Sequence, residues 1–490
     1  MKKTSLLISF IFLTVINAIG NNLQISGITV NQSTKIVSFT VSWENSWRVT
    51  SAPANWDAVW VFVKFKACSA SSATAFTHGV LTSTTADHSL TGVEAMSSVN
   101  WNGSSGITES AVQGTTLDFT DGIMLRRNSV GSGSYSSNVS LKISNLPAVG
   151  IDITTKVYGI EMVYVPKNDF YLGDGAAANY RFGSTNAAAT STPVLITSAY
   201  ETAPSTFSCV NSVGVNIPAA WPKGNYGFYL MKYEITQGAY MEFLNSITTT
   251  AAAARYPGNY NSWRNVLYGA SGNYSTMRPD RAQNSLNWND VSAFLDWACL
   301  RPITETEYEK ACRGTNNAVG SEYAWGNLTL NAATTFSGGE DGTETFTGGN
   351  CNFSWGAFIG GDAGNGPCRV GIFATNSSDR TSAGAGYYGA MELSGNVWET
   401  VIGLSTATPT ANVFSRTWGD GTVDATTGSH NTSTWPIATY AGGAAYGCLV
   451  GEKGGDCYNA LSYLIVSDRY LIVNSTPATR NYSSGGRGGR

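Results

Sequence analysis

From residue 320 to residue 490 this 490-residue chain is dominated by Gly, Asn, Thr and aromatic residues. A stretch of that composition can be ordered only by a dense network of backbone and side-chain hydrogen bonds, or by bound ions. It rules out a long helical bundle and points to a loop-rich domain built around short elements. The rest of the chain agrees. Gly is abundant (54), Trp and Tyr are frequent (14 and 24), and only 13% of residues are charged. Low charge with many aromatic and hydroxyl residues is the habit of secreted β or mixed domains. The net charge of −4 is too small to argue for a nucleic-acid or membrane-surface partner.

The first residues read as a secretory signal over 1–20. Lys2 and Lys3 are the positive region, Leu6–Ile16 the apolar core, and Ala18-Ile19-Gly20 a small-x-small cleavage pattern. No other run is apolar enough to span a bilayer, so no transmembrane segment is expected. The expected location is secreted, extracellular or at the cell surface. Eight cysteines in an exported chain invite disulfides, and Cys351/Cys368 and Cys448/Cys457 are the pairs closest in sequence within Gly-rich loops. Cys299 and Cys312, on expected helices, read as buried thiols.

Residues 21–157 carry β-type runs between Ser/Thr/Gly turns. These are Ile28–Trp43, Trp56–Phe65, Leu117–Arg126, Val139–Ile143 and the start of Lys156–Val165. The expectation is an all-β sandwich. Trp43, Trp47, Trp56 and Trp60 make either a buried core with one rim residue or an aromatic platform for carbohydrate. The platform requires at least two of them exposed and coplanar.

Over 158–490, three helices have identifiable starts. Thr236 caps the first. Asp290 is expected to cap Val291–Cys299. Thr304 with Glu307 makes a capping box, closed by Gly314. Only three histidines exist, His78, His88 and His430. That argues against a His-rich iron centre, a zinc site and a Ser-His-Asp triad; no G-x-S-x-G elbow and no P-loop occurs.

Several segments recur in order along this half: GIEMVYVP at Gly159–Pro166, FYLMKYEITQGAYMEFLN at Phe228–Asn245, LRPITETEYEKACRG at Leu300–Gly314, YYGAMELSGNVWE at Tyr387–Glu399, SDRY at Ser467–Tyr470 and GGRGGR at Gly485–Arg490. Together they resemble the formylglycine-generating enzyme (sulfatase-modifying factor) superfamily. The resemblance implies an α+β chain: the N-terminal β-sandwich, then a loop-rich domain with a C-type-lectin-like fold. Such domains serve either as copper-dependent oxidases of a cysteine or as non-catalytic scaffolds.

The resemblance also implies site residues. The oxidase uses two thiols that bind Cu(I), after an R-G-G-S-[WY] segment. Here that segment is Ala441-Gly442-Gly443-Ala444-Ala445-Tyr446, with Arg and Ser replaced. Cys448 and Cys457 are the remaining candidates, spaced more widely than the family's pair. Copper and a catalytic site are therefore not expected, and a structural bridge is preferred. Calcium is expected instead. Its ligands would be the Glu399 carboxylate and the carbonyls of Ser394, Gly395 and Val397. A second calcium site would use Asn352 and Phe353, with Asn365 in place of an acid and Asp362 as a substitute. Trp325, Arg469 and Arg487 are implied to be packing residues.

The function expected is a secreted, non-catalytic surface or extracellular protein, adhesive or structural. Its loops at 176–220, 255–280 and 402–435 would bind a surface glycan or protein ligand. A homo-oligomer or filament is a variant of the same reading. The alternatives are a copper-dependent oxidase making formylglycine on sulfatases, and a carbohydrate-binding protein.

Overall fold

The structure, a computed structural model, describes residues 22–96, 116–117, 119–176, 179–201, 203, 205–210, 215–260, 263–270, 272–353, 358–375, 377–404, 414–437, 448–474 and 478–490, with the backbone of Ile16–Asn17. The rest of the expected signal segment and Ala441–Tyr446 lie outside the described residues. The chain is mostly β with few helices. No helix among the described residues is long and apolar enough to cross a membrane.

Two sheets dominate. One has the strand order Ile16–Asn17, Gln24–Asn31, Ile36–Arg48, Gly131–Lys142, Ser89–Leu90. The other runs Arg301–Pro302, Gly488–Gly489, Phe228–Met231, Ile153–Val165, Asp57–Ala67, Ile123–Arg127, Val93–Met96, with Thr77–His78 pairing beside Asp57–Ala67. The strand Asp57–Ala67 explains how they combine. It is buried on both faces over Asp57–Phe65, and its sequence is continuously apolar from Ala58 to Val63. Val59, Val61, Val63 and Phe65 face a core shared with Val37, Phe39, Val41 and Trp43 of the first sheet. Ala58, Trp60 and Phe62 face the opposite way, into a core shared with Phe294 and Trp297.

The expected boundary at 157/158 falls inside a single strand. Ile153–Val165 pairs with Asp57–Ala67 through Ile153–Val163 and with Phe228–Met231 through its last four residues. The two halves of the chain therefore share one sheet. Gly488–Gly489 completes it between Leu230 and Arg301. A Cβ on Gly488 would sit 2.3 Å from Leu295 Cδ2 and 3.0 Å from the Arg301 carbonyl, so a side chain here would have to displace Leu295.

The Trp cluster belongs to this junction. Trp43, Trp56 and Trp60 are buried, and of the four only Trp47 is partly exposed, so these four offer no aromatic platform to solvent and the carbohydrate reading of these residues fails. Trp56 stacks on Tyr164 at 4.2 Å. Trp60 Nε1 donates to the Ala298 carbonyl at 2.8 Å, and the Arg490 guanidinium lies 3.8 Å over its ring.

Four helices follow in chain order, α1 Gln237–Leu244, α2 Thr249–Arg255, α3 Trp288–Trp297 and α4 Glu305–Arg313, with α2 packed on α1 and on Leu267–Ala270. Thr236 caps α1, accepting from Ala239 N at 3.1 Å. Thr304 and Glu307 form the expected box on α4, and Gly314 ends it at φ +67°. The cap of α3 differs from expectation. Asn287 is the N-cap and Asp290 its reciprocal partner three residues on. Cys299 accordingly lies beyond the helix, at φ +55°.

Candidate functional site

The segment Ser394–Glu399 makes a buried turn into the strand Trp398–Leu404. Gly395 and Asn396 have φ of +91° and +67°, and a Cβ on Gly395 would lie 2.5 Å from Cys351 Sγ. Asn396 is the hub of the turn. Its Nδ2 donates to Glu234 Oε2 at 2.5 Å. Its Oδ1 accepts from Asn352 Nδ2 at 3.0 Å and from Cys368 N at 2.7 Å. Its backbone N donates to Asn352 O, and its carbonyl accepts from Cys457 N. Glu234 Oε1 accepts from Val397 N at 3.1 Å.

Charge accumulates beside this hub. Glu399 Oε1 is held by Arg487 through Nε at 2.6 Å and Nη2 at 2.5 Å. The same guanidinium donates to the carbonyls of Met231, Lys232 and Met391. Glu392, whose Oε1 accepts from Gly371 N at 2.9 Å, is a third buried acid. Burial raises Glu392 to about 7 and, reinforced by Glu399, raises Glu234 well above the carboxylate range. Burial also raises Glu399, against the pull of Arg487. Glu392 Oε2, Glu399 Oε2 and Asn352 Oδ1 are buried with no hydrogen-bond partner among the described residues.

These orphaned oxygens, with an excess of buried acid, have the chemistry a cation satisfies. Among the described residues no group of three or more His, Cys, Asp or Glu is placed to hold a metal. A cation here would thus draw on main-chain and amide oxygens beside Glu399. Ser394 is heavily committed: its Oγ donates to Leu464 O and accepts from Ala324 N, and its carbonyl accepts from Cys351 Sγ. The second expected set comes together in part. Asn352 Nδ2 donates to the Gly366 carbonyl, next to Asn365, while Phe353 is partly buried against the core cluster that contains Cys351 and Trp325. Asp362 is already bound by Arg264 and Arg281, so it is not a free substitute.

The thiols depart from expectation. All eight cysteines are free, so neither Cys351–Cys368 nor Cys448–Cys457 forms a bridge. Cys448 and Cys457 occupy different surroundings. Cys448 opens the strand Cys448–Lys453 opposite Leu404, in the core with Phe414 and Trp435. Burial alone pushes it up to about 12. Cys457 sits under the Asn396 carbonyl, and burial with Asp456 and Cys368 pushes it well above the usual thiol range. Neither is poised as a thiolate.

Sequence reasoning missed Glu234 and Glu392. Each is an isolated acid inside a motif read for its glycine and aromatic residues; the signal was a charge flanked by apolar neighbours. It also missed an apolar cleft of about 100 Å³ where the two halves meet, lined by Phe62, Tyr158, Tyr233, Phe294 and Trp297 with Glu161 and Glu242. Those carboxylates are paired, Glu242 with Lys156 at 2.6 Å and Glu161 with Lys232 at 3.3 Å. The loops expected to bind ligand contain short hairpins, Leu267–Ala270 with Asn273–Thr276 and Ser205–Cys209 with Val215–Ile217.

Residues 221–431 match the sequence model of a family described as "Sulfatase-modifying factor enzyme 1-like domain". A formylglycine-generating enzyme of Thermomonospora curvata is 32% identical over 133 residues, 26% of this chain and 35% of that protein. A formylglycine-generating enzyme of Streptomyces coelicolor is 43% identical over 51 residues, 10% of this chain and 16% of that one. The chain thus spans about a third or less of these relatives' length. Among solved structures, Treponema denticola variable protein 1 overlaps 67% of this chain and 95% of its own at 14% identity. Its TM-score of 0.30 is too low to define a shared fold. The family match includes Glu234, Asn396 and Glu399 and stops before Cys448.

Proposed function

We propose, from the match of residues 221–431 to the sulfatase-modifying factor model, that the chain is a member of that superfamily acting as an exported, non-catalytic scaffold that binds a ligand or further copies of itself. The observation that carries this reading is that Cys448 lies opposite Leu404 at one end of its strand, while Cys457 hydrogen-bonds Asn396 beyond the other end, where Lys453 pairs with Glu399; burial raises both thiols. A Cu(I) dithiol needs two thiolates on one ion. On this reading the two packed sheets of the N-terminal half form a β-sandwich that shares a strand with a C-type-lectin-like frame, and the hairpins present the binding face to a glycan or protein. The test is an aldehyde assay on a sulfatase-derived cysteine peptide with Cu(I) and oxygen. No aldehyde is expected. Aldehyde formed by the native chain and lost in Cys448→Ser overturns the proposal and restores the oxidase.

Calcium is part of the same proposal. Glu399 with the carbonyls of Ser394, Gly395 and Val397 would hold it, and Asn352 with Phe353 and Asn365 would line the second position. The ion would supply positive charge to a turn that carries more buried acid than base. Chelation is expected to lower the thermal midpoint, and calcium alone to restore it. An unchanged midpoint, with no calcium in the dialysed protein, contradicts it.

A further inference from the structure

A second pocket, far smaller than the apolar cleft, lies between the start of α3, the strands Trp398–Leu404 and Cys448–Lys453, and the C-terminal segment. Asn287, Trp288, Thr400, Glu452, Asn481 and Ser484 are among its walls, and its volume is about 30 Å³. That is room for roughly one or two water-sized groups.

Glu452 gives the pocket its chemistry. Strand pairing sets it opposite Thr400, and the Ser484 hydroxyl donates to its carboxylate. No Lys or Arg lines the pocket. Among the described residues, the charged neighbour that acts on Glu452 is another acid, Asp456. The positive end of α3 does not supply the missing charge, because the Asn287 and Asp290 side chains cap it, and the nearby Arg255 and Arg480 are both paired with Asp290. Glu452 is half-buried, and none of the side chains lining the pocket supplies it a counter-charge. The walls offer what an ammonium ion takes: one carboxylate, the hydroxyl and amide oxygens of Thr400 and Asn481, and the Trp288 ring.

We propose that this pocket is a binding site for a primary ammonium group, carried by a small amine or by a lysine side chain. No thiol takes part, so the inference stands or falls independently of the scaffold reading.

The test is thermal unfolding of the full chain at pH 8 and constant ionic strength, in sodium, methylammonium or tetramethylammonium chloride. A saturable rise in the midpoint is expected with methylammonium alone, since tetramethylammonium exceeds the pocket. In Glu452→Gln the half-saturating concentration is expected to rise at least ~10-fold, as a lost ion pair of about 1.4 kcal/mol or more gives. Asn481→Leu, at the exposed mouth, is the second variant should Glu452→Gln not fold, and is expected to weaken binding likewise. Nα-acetyl-lysine methylamide separates the sources: half-saturation well below that of methylammonium points to a polypeptide lysine, and equal or weaker binding points to a free amine. The same midpoint in all three salts, meaning water alone fills the pocket, or an undiminished rise in both variants, overturns the proposal.

Discussion

Arg469 shows how this chain uses charge. Its guanidinium holds both oxygens of Glu305, at 2.6 and 2.8 Å, lies 4.1 Å over the Phe182 ring, and reaches the carbonyls of Tyr180 and Leu404. Both partners are buried. Removing one member of such a pair leaves an uncompensated buried charge, so Arg469→Ala is expected to lower the unfolding free energy by about 3–5 kcal/mol. Urea unfolding measures it; a loss below about 1 kcal/mol contradicts the assignment. Asp280 is the opposite case. Burial, reinforced by Glu344, raises it to about 6, above its unfolded value, and its Oδ2 has no hydrogen-bond partner among the described residues. The protonated form favours the fold, so stability is full near pH 4 and is lost as pH rises through 6. Asp280→Asn is expected to stabilise the protein at pH 8, with little effect at pH 4. A gain independent of pH contradicts this. The packing roles of Arg469 and Arg487 were legible because their motifs place them in loops with many carbonyls. Glu234 and Glu392 were not, because what makes them matter is convergence from segments far apart in the chain.

Among the elements, starts were legible wherever one residue alone could cap. Thr236 and Thr304 cap α1 and α4 as their local sequences dictate. The run Asn287-Trp288-Asn289-Asp290 offers several capping residues, and tertiary contacts decide between them. Trp288 must enter the core, and Asp290 is held by Arg255 at 3.2 Å and Arg480 at 2.7 Å, which fixes Asn287 as the cap. Asn287→Ala is expected to cost about 0.5–2 kcal/mol, read from chemical unfolding; no loss contradicts this choice of cap. The strand Asp57–Ala67 was legible as a strand. Its two-sided burial was not turned into a topology, because an apolar run does not say which segments cover its faces. That ambiguity is why the expected boundary falls inside Ile153–Val165.

For the whole molecule, one sheet runs through both the N-terminal β region and the family-matched region, with Trp56, Trp60 and Arg490 at their junction. The family was legible from six short motifs, since glycines and capping residues at fixed places are what loops require. The thiol chemistry was not, since closeness of Cys448 and Cys457 in sequence did not become closeness in space. The most direct test of the non-catalytic account is to map thiol reactivity in the native protein, purified without reductant, with and without one equivalent of Cu(I). The account predicts that exposed Cys68 reacts, that Cys448 and Cys457 react only after denaturation, and that Cu(I) changes neither. Native reactivity at Cys448 and Cys457 that one equivalent of Cu(I) suppresses at both together would contradict it.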